Sequence, residues 1–148
     1  MKRIAINGFG RIGRSALKVI FDSSDLEVVA VNDLMDIENA VYLLKYDSNY
    51  GKYEKNIRFE GDAIFVGEKA IKYSSIREIE GLPWKQLDVD VVIESTGIFT
   101  SKTDAEKHIM AGAKSVVISG PTKDTPTVVH GVNTEKGNVS VFSCASCT

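Results

Sequence analysis

Cysteine and histidine are scarce in this chain, with two of each in 148 residues. Two thiols do not make a disulfide framework, and so few soft ligands leave little material for a zinc centre. Reduced thiols and no bound metal are the expectation. Long apolar runs are also missing. Runs such as "VVIES" and "SVVIS" are strand-sized, and the opening "MKRIAING" has neither the apolar stretch nor the small-residue cleavage site of a secretory signal. A soluble, cytoplasmic protein without a membrane partner is predicted. Blocks of one charge sign are absent: 18 basic and 20 acidic residues are spread along the chain and leave a net charge of −2. That distribution argues against nucleic acid as a partner. With no repeat, low-complexity tract or linker, the length suits one domain whose core needs no covalent support.

What the chain does contain is an alternation of apolar, strand-like runs with helix-like ones, the pattern of a parallel α/β sheet. "RIAIN" reads as a first buried strand. "RIGRSALKVIFDSS" places Ile12, Ala16, Leu17 and Ile20 at helical spacing. "DLEVVAVND" is a second strand ending at Asn32 and Asp33, and "IENAVYLLKY" a second helix. The polar "DSNYGKYEKN" then leads into "IRFEGDAIFVGEKAIKYSS", short antiparallel strands turning at Gly61-Asp62 and Gly67-Glu68. "DVVIEST" is a further strand, followed by a helix over "SKTDAEKHIMAG" that Gly112 should stop. "SVVISGP", "TVVHGVN" and "NVSVFS" are three more strand candidates. The predicted fold is α/β, a Rossmann-type doubly wound sheet of about six or more mostly parallel strands with a short antiparallel insertion.

Chemistry enters at "NGFGRIG". Gly8, Gly10 and Gly13 fit G-x-G-x-x-G directly after a strand and at the opening of a helix. In that setting the first glycine permits a tight turn, the second lets a pyrophosphate approach the backbone, and the third allows close helix-strand packing. The amides of Arg11 and Ile12, at the helix start, would face the phosphates. Asp33 lies roughly twenty residues further on, at the end of the second strand, where a carboxylate takes the ribose hydroxyls of NAD. Because a carboxylate repels a 2′-phosphate and no arginine follows Asp33 at once, NAD is expected in preference to NADP. A lone glycine pattern also arises in ordinary turns; strand, helix and acid together give it meaning.

"INGFGRIGR", "VND", "LLKYDS", "LPW", "VIESTGIFT", "AGAKSVVIS", "GVN" and the final "ASCT" occur in the order and spacing of phosphorylating glyceraldehyde-3-phosphate dehydrogenases. The chain resembles the amino-terminal, NAD-binding half of that family over its whole length, residues 1–148. The catalytic domain of the family, with the histidine that activates its thiol, is expected to be absent from this chain. The resemblance implies that Arg77 lies by the adenine, that Thr96, Gly97 and Ser119 bind the cofactor from the ends of their strands, and that Phe99 flanks the adenine.

It also implies a catalytic role for Cys147, whose thiolate would attack the aldehyde of glyceraldehyde 3-phosphate. Ser146 and Thr148 would lie beside the substrate. Inorganic phosphate would then release the acyl group. On the residues alone, Ser146 is a good N-cap, and a cysteine in the first turn of a helix has its thiolate favoured by unpaired amides. A homotetramer is the family's assembly. Two other readings stand beside this one: a stand-alone, non-catalytic NAD-binding module, and a relative acting on erythrose 4-phosphate.

Three stretches depart from the family pattern. Cys144 stands where asparagine is usual, making a C-x-x-C spacing that also occurs in redox proteins. It ends a strand expected to be buried, so Cys147 should alkylate faster. "SGP" replaces "SAP", and "DSNYG" replaces "DSVHG". His108 is expected to be structural, and His130 a strand residue.

Overall fold

The structure is a computed structural model and describes residues 1–134 and 139–144. Among these residues the chain runs β1 (Lys2–Asn7), α1 (Arg11–Phe21), β2 (Leu26–Asn32), α2 (Ile37–Lys45), β3 (Tyr46–Asp47), β4 (Gly51–Lys52), β5 (Ile57–Glu60), β6 (Ala63–Val66) and β7 (Lys69–Ser74). A 3-10 turn (Ile79–Gly81), β8 (Val91–Glu94), α3 (Lys102–Met110), β9 (Ser115–Ile118) and β10 (Val141–Ser143) follow. The main sheet has the order β10-β9-β8-β1-β2-β7-β6-β5. From β10 to β7 all neighbours are parallel, whereas β5, β6 and β7 form the expected antiparallel insertion. The strand order reverses at β1: the chain first builds outward through β2 and then returns to β8 on the other side.

A bulge in β2 decides which residues reach which face. The β1–β2 register shifts between Ile4 and Ala5, so that Ile4 pairs with Val28 but Ala5 with Ala30. The extra residue turns Val28 and Val31 to one face and Val29 and Ala30 to the other. On the first face they pack with Leu17 and Ile20 of α1 and Ala40 and Leu44 of α2. On the second they pack with Trp84, Leu82 and Ala105 of α3. Helices thus cover both faces, which is why the central strands are apolar throughout rather than alternating.

α1 covers the run read as helical, and its buried side is made by Gly13, Arg14, Leu17 and Ile20, with Ile12 54% exposed. Three expectations need correction. "TVVHGVN" is not a strand: only Thr127 bridges to Ser143. The Asn133 side chain accepts from the Val129 amide at 2.7 Å and donates to the Thr127 carbonyl at 3.0 Å, curling the segment where a ladder would extend it. His130 consequently sits in a turn. Cys144 is exposed, one residue past the end of β10 at Ser143, although its amide still donates to the Ile118 carbonyl at 3.0 Å. Within the polar stretch after α2, β3 and β4 form a separate two-stranded hairpin.

Candidate dinucleotide-binding site

Four strands end side by side at the point where the strand order reverses, and a cleft of about 370 Å³ opens there. Asn7, Gly8 and Gly10 line it at the end of β1, Asn32, Asp33 and Leu34 at the end of β2, Ile76 and Arg77 after β7, and Ser95, Thr96, Ile98 and Phe99 after β8. In open α/β sheets such a switch point is where ligands bind. The sequence places Gly8, Gly10, Asp33, Arg77, Thr96 and Phe99 in one site, and all six line this cleft.

The glycines have distinct jobs. Gly8 has φ of +92°, and a Cβ on it would lie 2.6 Å from the Thr96 amide nitrogen. Gly13 is a packing glycine: its Cβ would come within 2.1 Å of the Gly8 carbonyl oxygen, so α1 can approach the loop only without a side chain. Around Gly10 nothing lies within 4 Å of a Cβ position, which leaves its backbone open to the cleft. This division matches the three roles that pyrophosphate binding requires.

Gly10 is also the N-cap of α1. No side chain caps that helix, whereas the Asp36 side chain caps α2 and the Ser101 side chain caps α3. Among the described residues the first amides of α1, including those of Arg11 and Ile12, therefore lack a side-chain acceptor beside the cleft, the arrangement an anion site needs. The Arg11 side chain turns away to pair with Asp47 at 3.1 Å. Arg14 is buried and donates from Nη1 to the Phe9 carbonyl at 2.9 Å, tying the loop to the helix; burial, with Arg11 nearby, pulls its pKa below the usual arginine value.

Asp33 accepts the Phe9 amide at 2.6 Å and the Met35 amide at 3.0 Å. Ser95 donates to the Gly8 carbonyl at 2.7 Å. Gly97 is exposed, next to the lining residue Thr96, and Ser119 lies on the neighbouring strand end, where its amide donates to the Glu94 carbonyl at 3.0 Å. Neither Ser119 nor Gly97 lines the cleft. A further groove is formed by Thr100, Ser101 and Pro121 to Asp124. Ser146, Cys147 and Thr148 lie outside the described residues. His108 is fully buried and bonded to Trp84 and Glu94, the structural role expected of it.

Several contributors were not singled out from the sequence: Asn7, Asn32, Glu94 and Ser95. Each ends, or follows, an apolar strand, and a polar residue at that place is the signal that marks them.

Doubly wound sheet, glycine loop, uncapped helix and terminal carboxylate together define a dinucleotide-binding domain. Comparison with known proteins narrows this: the family described as glyceraldehyde 3-phosphate dehydrogenase, NAD binding domain, matches residues 2–102. The chain belongs to that family. It is 50% identical, over 99% of its length, to glyceraldehyde-3-phosphate dehydrogenase of Chlamydia pneumoniae. A cytosolic glyceraldehyde-3-phosphate dehydrogenase of Trypanosoma brucei brucei is 49% identical over 99% of the chain, and one from Streptomyces coelicolor 50% over 99%. The chain spans about 45% of the length of each of these relatives.

Proposed function

We propose that the cleft holds NAD, with the α1 amides of Arg11 and Ile12 on the pyrophosphate and Asp33 on the adenosine ribose. Arg77 lies beside the adenine, and Thr96, Gly97 and Ser119 bind along the strand ends towards the nicotinamide. The observation that carries this reading is the convergence of the uncapped α1 terminus and the Asp33 carboxylate on one cleft at the switch point. A carboxylate there suits ribose hydroxyls and repels a 2′-phosphate, so NAD is preferred over NADP.

Within a full-length enzyme the domain serves the oxidation of glyceraldehyde 3-phosphate with inorganic phosphate to 1,3-bisphosphoglycerate, a step of glycolysis. Bound NAD supplies the hydride acceptor. Cys147 provides the nucleophile: its thiolate adds to the aldehyde carbon, and after hydride loss the resulting thioester is cleaved by phosphate, which releases the thiolate. Ser146 and Thr148 contact the substrate. The cytoplasm and a homotetramer are the setting we assign to it. Among the described residues no helix is long and apolar enough to cross a membrane.

Spectrophotometric detection of NADH tests the activity. A protein of the relatives' length beginning with these residues should reduce NAD in the presence of glyceraldehyde 3-phosphate and phosphate, and Cys147→Ser should abolish it. The 148-residue chain by itself should bind NAD without turnover, since general acid–base catalysis alone typically contributes 10²–10⁴-fold. Unchanged turnover in Cys147→Ser would remove that residue from the chemistry.

A further inference from the structure

At the floor of the cleft runs a line of buried hydrogen-bonding side chains, Trp84, His108, Glu94, Asn7 and Asn32, to which the cofactor assignment gives no role. Trp84, fully buried, donates its indole N–H to His108 Nδ1 at 2.9 Å. An indole nitrogen can only donate, so His108 carries its hydrogen on Nε2, which faces Glu94 Oε2 at 2.8 Å. Glu94 is 2% exposed. Oε2 also accepts from Asn7 Nδ2 at 2.6 Å, and Oε1 accepts the Thr96 amide at 2.9 Å and the Thr96 hydroxyl. These four donors fill the carboxylate.

The line continues across the sheet. Asn7 Oδ1 accepts from Asn32 Nδ2 at 2.8 Å, and Asn32 holds both the amide and the carbonyl of Ile76 at 2.9 Å. At the other end, Thr96 Oγ1, its proton committed to Glu94, accepts from the Ile98 amide at 3.2 Å. Ile98 follows β8 and Ile76 follows β7, the two outer strands of the four whose ends form the cleft. A buried carboxylate adds little net stability over an apolar side chain of the same volume. What it does fix is geometry.

We propose that Glu94 is a positioning residue for the dinucleotide: held by His108, it orients Thr96 and, through Asn7 and Asn32, sets the two outer strand ends of the cleft relative to one another. The inference rests on the reading of the cleft as the NAD site. Replacing the carboxylate by an amide turns one of its acceptors into a donor that confronts donors already in place.

The test is a double-mutant cycle on the 148-residue chain, with NAD affinity measured by calorimetry and folding followed by thermal melting. Glu94→Gln and Thr96→Val should each weaken NAD roughly tenfold, as the loss of a hydrogen bond to a charged group does. The double variant should be no weaker than the poorer single variant, because both remove one pathway. Multiplicative losses would show that Glu94 acts by general destabilisation and would overturn the proposal. A second readout needs no change at Glu94. Trp84 is the one tryptophan in the sequence and does not line the cleft, so its indole N–H gives one resonance. That resonance should shift on saturation with NAD, and the shift should vanish in Thr96→Val; no shift in the unaltered chain would overturn the proposal. If the unaltered chain binds no NAD, the reading of the cleft falls, and this inference with it.

Discussion

The amide of Phe9 donates to Asp33 Oδ2 at 2.6 Å, so the carboxylate that closes β2 also holds the glycine loop that follows β1. One residue thereby shapes the loop and presents charge to the cleft. Asp33→Ala should weaken NAD roughly ten- to a hundredfold, the loss of charge-assisted hydrogen bonds worth about 1.5–3 kcal/mol. NADP should lose much less, since the repulsion of its 2′-phosphate is removed at the same time. Calorimetry with both dinucleotides checks this; equal affinity of parent and variant for NAD would remove Asp33 from the site.

Two glycines three residues apart should respond in opposite ways to the same change. Alanine at Gly13 would drive a Cβ to 2.1 Å from the Gly8 carbonyl oxygen. Gly13→Ala should cost stability near the upper end of the range for overpacked interiors, about 3 kcal/mol. Gly10→Ala meets nothing within 4 Å. Its stability should stay within about 1 kcal/mol of the parent, the scale of an N-cap change, while NAD binding falls roughly tenfold or more because the methyl group occupies the approach to the pyrophosphate. Denaturant melts paired with NAD titrations separate the two effects.

The hairpin beside α1 should make part of the fold's stability depend on acid pH. Amides of Asn49 and Tyr50 and the Arg11 guanidinium bond the Asp47 carboxylate, bringing its pKa down to about 2. In the unfolded chain an aspartate titrates near ~3.9. A lowered folded-state pKa means that the stabilisation is complete above the unfolded value and is lost as pH falls from about 4 through about 2. Melting curves of the parent and Asp47→Asn should converge across that window. A constant difference between them would contradict the assignment.

Cys144 is exposed, which reverses the expectation of a shielded thiol at the end of a buried strand. Iodoacetamide should modify it in the native chain at a rate comparable with that in denaturant, as mass mapping would show. Strong native protection would contradict the exposure of Cys144.

Much of this architecture could be read from the residues. Apolar runs rich in β-branched residues marked β1, β2, β8 and β9, and Gly61 and Gly67 marked the turns of the insertion, because both signals are local. The glycine spacing and Asp33 pointed to one site for the same reason: each sits at a fixed distance from its own strand. What could not be read depends on partners distant in sequence. The bulge in β2 appears only in its pairing with β1. Asn133 takes over the hydrogen bonds that "TVVHGVN" would have given to a ladder. Glu94 looks like one more strand residue until Asn7, 87 positions away, and His108 are brought to it.

The proposed function turns on NAD binding in the cleft at the ends of β1, β2, β7 and β8. A ¹H–¹⁵N spectrum recorded through an NAD titration addresses it residue by residue. The largest shifts should fall on the amides of Gly8 to Gly13, Asp33 and Leu34, Ile76 and Arg77, and Thr96 to Phe99, with β5 and β6 unaffected. Shifts centred on the groove between Thr100 and Asp124 alone, or an unchanged spectrum at saturating NAD, would contradict it.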